Sequence, residues 1–114
     1  MLGNDRGEII MSYIKNIMME EHQRLQALSK KYNDIIASFP RGAASIKKRN
    51  NHDYLYLASR KDGKVTFNYI GPVASEKTRE ILEQVNARKQ YELKLKQVNQ
   101  DLKEIERVVH GRKI

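Results

Sequence analysis

Apolar side chains recur in steps of four and three at both ends of this chain. That rhythm limits it to two long helices with something different between them. In the first segment the stripe runs Met11, Ile14, Met18, Glu21, Leu25, Leu28, Tyr32, Ile35 and Phe39, with Glu21 alone out of character. In the last it runs Tyr91, Leu95, Val98, Leu102, Ile105 and Val109. Such spacing keeps one helix face apolar and describes a coiled-coil seam. Pro40 ends the first helix, because it lacks an N–H and its ring clashes with the preceding turn. Ser75 suits the N-cap of the second, Glu76 its first turn, and Gly111 its stop after His110. Ile81, Leu82 and Val85 lie off the downstream register and predict a local shift of the seam. The expected helices cover 11–39 and 75–110, roughly 42 and 52 Å long at 1.5 Å per residue. They pack antiparallel, since the middle segment returns the chain at one end.

Between them the period changes from 3.5 to 2. Three strands are expected, at about 43–49, 53–60 and 64–70. Asp62-Gly63 between alternating runs is the strongest hairpin signal, because both turn positions need positive φ. Asn50-Asn51 marks a looser first turn for the same reason. If Lys61 pairs with Lys64, Tyr56 faces Tyr69, Leu57 faces Asn68 and Ala58 faces Phe67. One sheet face then carries Tyr54, Tyr56, Val65, Phe67 and Tyr69, and the other Leu55, Leu57, Thr66, Asn68 and Ile70. Gly71-Pro72 is the joint into the second helix. The fold class is therefore α+β: an antiparallel two-helix coiled-coil hairpin with a three-stranded antiparallel sheet at its tip, a single domain over 1–114. The seam begins at Met11, and Arg6-Gly7-Glu8 can be encoded by a purine-rich run of the ribosome-binding type two codons upstream. Residues 1–10 are read as a translated leader before a native start at Met11, or as an ordinary flexible N-terminus.

Charge narrows the function. The net +8 is unevenly spread. Residues 1–39 hold five basic and five acidic side chains, 40–73 seven and two, and 74–114 ten and seven. The smallest region thus has the largest excess, which points to a polyanion partner. No run of about 18 apolar residues exists to span a membrane, and no signal peptide is expected, because Lys15, Glu20 and Glu21 interrupt the apolar residues near the N-terminus. With zero cysteines, disulfides and thiolate metal sites are excluded, and the composition fits the reducing cytosol, so a cytoplasmic location is expected. His22, His52 and His110 fall in different elements and outside any metal-binding spacing. There is no phosphate-cradling glycine loop and no Ser or Asp partnered with a base. The sequence reads as a non-enzyme without cofactor or metal.

The candidate site is nucleic-acid binding. Arg41, Lys47, Lys48, Arg49, Arg60, Lys61 and Lys64 are expected to line the rim of the sheet and meet successive phosphates. Edge-strand protection by lysine is the competing explanation, but seven basic residues exceed its needs. Tyr54, Tyr56 and Tyr69, together with Phe67, either stack unpaired bases or pack on the helix ends. Their large area favours packing. Arg88, Lys89, Lys94 and Lys96 form a second basic cluster, read as a solvated helix face or as an extension of the phosphate track along the same arm.

The pattern from Pro40 to about Val109 resembles a family of small uncharacterised bacterial and phage proteins associated with mobile elements. The residues that carry it are the Gly42-x-x-x-Ile46 start, the Tyr54-x-Tyr56-Leu57 strand, the Arg60-x-x-Gly63-Lys64-Val65 turn and the Tyr69-Ile70-Gly71 end. About thirty residues of the sheet are also similar to the arm-binding domains of tyrosine recombinases, whose three-stranded sheet enters the DNA major groove. The likeness does not extend to the recombinase catalytic domain, and none is expected here. These likenesses imply a mobile-element setting and no established activity.

The leading expectation is a non-catalytic nucleic-acid-binding accessory protein of a phage or mobile element, acting on DNA or RNA, single- or double-stranded. A phage-encoded inhibitor of the anti-CRISPR kind, docking on a nucleoprotein complex, is the alternative. A coiled-coil structural adaptor is the third. Because two helices bury only one stripe each, a homodimer through the helices is also expected.

Overall fold

A computed structural model describes residues 5–109 and gives an α+β chain of two helices and one sheet. Helix α1 is Asp5–Ser38, strands β1, β2 and β3 are Ala43–Arg49, His52–Lys61 and Lys64–Pro72, and helix α2 is Glu76–Val109. The sheet is antiparallel in the order β1-β2-β3. The described residues fall into two compact units, 5–33 with 93–109, and 34–92. Helix α1 starts six residues before the expected Met11, so residues 5–10 are its opening turns. A seam dictates packing and not helix length. Glu8, near the positive end of the helix dipole, favours the extra turns. The expected stop at His110 and Gly111 lies outside the described residues.

In the first unit the helices run antiparallel. His22 Nε2 lies 3.1 Å from Glu106 Oε2, and Ser29 Oγ donates to Asn99 Oδ1 at 3.4 Å. Seven residues forward on α1 correspond to seven back on α2. Leu25 and Val98 are buried, while Met18, Leu28, Leu102, Ile105 and Val109 are half-buried. These are seam positions read from the sequence, whereas Met11 and Ile14, the first two of that reading, are exposed. Each fully buried Leu or Val contributes about 1.5–3 kcal/mol. The discordant Glu21 is accommodated by Arg24 one turn on, which donates to both carboxylate oxygens at 2.7 Å. The hydrogen bonds from Arg24 hold the Glu21 carboxyl below its ordinary pKa.

In the second unit the sheet is built on two turns of one kind. Asp62 (φ 53°) and Gly63 (φ 78°) close the β2–β3 hairpin between Lys61 and Lys64. Asn50 (φ 51°) and Asn51 (φ 66°) close β1–β2 between Arg49 and His52. The first turn is therefore as tight as the second: asparagine tolerates the left-handed region well enough for both central positions. Pairing of Tyr56 with Tyr69, Leu57 with Asn68 and Ala58 with Phe67 is as the sequence predicts. Beyond it the register shifts, so that Leu55 pairs with Gly71 and Tyr54 with Pro72, leaving Ile70 as the extra residue of a bulge. The bulge carries β3 through Pro72, and the joint into α2 falls later. There Val73 N–H donates to Asp53 O at 2.9 Å and Arg79 N–H to Ser75 O at 3.0 Å, with Ser75 preceding Glu76 as the N-cap position requires.

The core of this unit is small. Leu55 and Val85 are fully buried, and Leu57 and Thr78 nearly so. Gly71 admits the helix: a Cβ there would lie 2.6 Å from Thr78 Oγ1, closer than any side chain tolerates. Phe39 and Tyr91 meet with ring centroids 6.1 Å apart. Arg88, expected on a solvated face, instead donates from Nη1 to Pro40 O at 3.3 Å, with Nε buried and 3.4 Å from Glu92 Oε2. It satisfies a carbonyl beyond the end of α1 and so is structural.

Candidate nucleic-acid interface

Side chains alternate across a strand, and antiparallel partners share a face. Leu55 and Leu57 point to the buried side, so Tyr54, Tyr56, Ala58 and Arg60 point to the other. The register adds Ser45, Lys47 and Arg49 from β1 and Val65, Phe67 and Tyr69 from β3 to that second face. It is open. Phe67 is 48% exposed and Tyr69 56%, with Tyr54 and Tyr56 half-buried against their neighbours. This corrects the expectation that the rings pack on the helix ends. The two leucines occupy the inner side, and strict alternation sends the rings outward.

The rings form a continuous cluster. Tyr69 lies between Tyr56 and Tyr54, with centroid separations of 5.3 and 6.2 Å and tilts of 60° and 49°. Lys47 Nζ stands 4.2 Å from the centroid of Phe67 and 4.9 Å from that of Tyr56, within cation–π range. Arg49, Asn50, Tyr54, Tyr56 and Tyr69 line a shallow hollow of about 330 Å³. Of the two acidic residues in this region, Asp53 pairs with Lys48 on the opposite face and Asp62 sits in the turn. The aromatic face therefore carries three cations and no carboxylate, a positive surface with flat apolar rings at its centre.

The basic rim is not one track. Lys47, Arg49 and Arg60 share the aromatic face. By the same alternation Lys48, Lys61 and Lys64 project from the other side, and Arg41 precedes β1 in an exposed loop. Lysines at neighbouring positions of a strand cannot face the same way, and Lys61 and Lys64 share their face because they flank a two-residue turn. Phe67, grouped with the tyrosines by its two-residue spacing from Tyr69 in the sequence, shares their face.

The DUF6788 family, described as a domain of unknown function, matches residues 18–80, more than half of the chain. The chain belongs to this family. No curated protein and no solved structure matches it. The DUF6788 match runs from Met18 of α1 through the whole sheet into the first turns of α2, and so includes every residue of the aromatic face. Among the described residues of this DUF6788 chain no group of three or more His, Asp or Glu is placed to hold a metal ion, and no helix is long and apolar enough to cross a membrane.

Proposed function

We propose that the protein binds single-stranded nucleic acid on the outer face of its sheet, without catalysis. The observation that carries this reading is the open cluster of Tyr54, Tyr56, Phe67 and Tyr69 under Lys47. Exposed aromatic rings cost free energy in water unless something covers them, and unpaired bases are flat, apolar-faced and joined by phosphates. Stacking on such rings contributes about 1–3 kcal/mol per base and tolerates any base. Lys47, Arg49 and Arg60, on the same face, supply cations for the backbone between stacked bases. Paired bases hide their faces inside the duplex, so the platform favours single strands over double.

Two variants of equal charge test the geometry. Lys47→Gln/Arg49→Gln/Arg60→Gln removes the cations of the aromatic face, and Lys48→Gln/Lys61→Gln/Lys64→Gln those of the opposite face. Binding of a fluorescent oligonucleotide is followed by anisotropy against salt. The first variant is expected to flatten log K against log[salt] by about 2, since each phosphate contact of a single strand contributes about 0.7 to the slope. The second should change it by less than half as much. Equal effects would mean that the protein attracts nucleic acid by net charge alone, with no site on this face.

A further inference from the structure

The opening half of α1 displays a second apolar surface, unrelated to the sheet. Ile9 is 68% exposed, Tyr13 67% and Ile17 49%, with Ile10 and Ile14 exposed beside them. At 100° per residue these five cover an arc of about 140°, next to the seam that holds Leu25. The described residues of α2 leave Ile9, Tyr13 and Ile17 largely uncovered. In the antiparallel register fixed by His22–Glu106 and Ser29–Asn99, Val109 comes level with Met19. Val108 and Val109, the last described residues of α2, reach only the flank of the stripe, where they line a hollow with Met11, Ile14 and Met18, and no described residue of α2 is level with Ile9, Tyr13 or Ile17. Taking typical side-chain areas, the five exposed residues present on the order of 600 Å², as large as the biggest patches of ordinary monomers.

We infer that this stripe is the seat of a second copy of the same chain, with the two α1 helices antiparallel about a two-fold axis at Tyr13. The stripe is self-complementary about that residue. An antiparallel pair centred there sets Tyr13 on Tyr13 and Ile9 on Ile17, in both halves. It also sets Arg6 opposite Glu20, and these two charges lie on the same arc of the helix, just beyond each end of the isoleucines. A two-fold interface needs one patch to fit itself in this way. Two copies bring together on the order of 1,200 Å², the lower end of what specific interfaces bury. Past Ile17 this side of the helix turns polar, with Glu20, Arg24 and Lys31, which bounds the contact.

Sedimentation equilibrium of the full chain tests the seat. The wild type is expected at twice the 13.3 kDa chain mass at tens of micromolar. Tyr13→Glu should raise the dimer dissociation constant by at least about a hundredfold with helicity by circular dichroism unchanged, since Tyr13 is exposed. Arg6→Glu and Glu20→Arg should each weaken the dimer about tenfold, because each turns two attractions into repulsions. The double swap should restore wild-type affinity to within about threefold. A monomeric wild type at 100 μM, about the upper working range of the experiment, would overturn the inference, since an apolar seat of this size should self-associate well below it. So would a dimer indifferent to Tyr13→Glu, or a double swap no better than either single change.

Discussion

Replacing Leu55 with aspartate is expected to unfold the sheet-bearing unit, at a cost above about 4 kcal/mol. Leu55 has no exposed surface, and it sits in the central strand between Ile46 of β1 and Gly71 of β3. The core around it is so small that Val85 is the other fully buried large side chain among the described residues. A carboxylate there loses its water and gains no partner. Leu55→Ala, which removes only methyl groups, should cost about 2–5 kcal/mol. One strand position away, on the other face, Tyr56→Ser should cost much less, because its ring is partly in solvent already. Urea melts of the three variants check the order. A Leu55→Asp protein that melts with the wild type would mean the wrong face of the sheet has been taken as the core.

Phe67→Ala/Tyr69→Ala should lose about 2–5 kcal/mol of affinity for a single-stranded oligonucleotide, a fall of roughly thirtyfold to several thousandfold, if each ring stacks one base. The same change should move the melting temperature little, since both rings are about half exposed. The separation matters, because the same residues in a core would give the opposite pattern: a large loss of stability and a binding defect only through unfolding. Removing the two rings also strips Lys47 of one of its cation–π partners, so the loss includes the positioning of that ammonium over the face. Binding that survives the double change unaltered would leave the charged side chains as the whole interface and remove the case for stacking.

The helices were legible because a four-three stripe has one physical reading, and every seam residue from Met18 on is at least partly buried. The strand pairing was legible for a similar reason: Asp62-Gly63 admits one tight turn, and the turn fixes the register of everything behind it. What escaped was what a pattern of period two cannot carry. Alternation divides the rings from Leu55 and Leu57 but does not say which set is covered, and the large area of the rings argued for the wrong side. The bulge at Ile70 has no local sign, since it serves the fit of Gly71 against Thr78 of a helix that follows later in the chain. Arg88 read as one more surface cation, because the carbonyl it meets, that of Pro40, is 48 residues away. Counting the basic residues of 40–73 gave the right total, yet their assignment to a single rim ignored that neighbours on a strand face apart.

The central claim is that bases stack on the outer face of the sheet, and the tyrosines report on it directly. The chain has six and no tryptophan. Tyr54, Tyr56 and Tyr69 belong to the proposed platform, while Tyr13, Tyr32 and Tyr91 lie on the helices. Protein labelled with carbon-13 in its tyrosine rings can be titrated with a single strand of about eight nucleotides, a length within the span of known single-strand platforms, at low salt. The account predicts saturable shifts of the three sheet tyrosines with the three helix tyrosines still, and a weaker response to a duplex of the same sequence. Shifts confined to the helix tyrosines, or no shift at all while the protein remains folded, would contradict it.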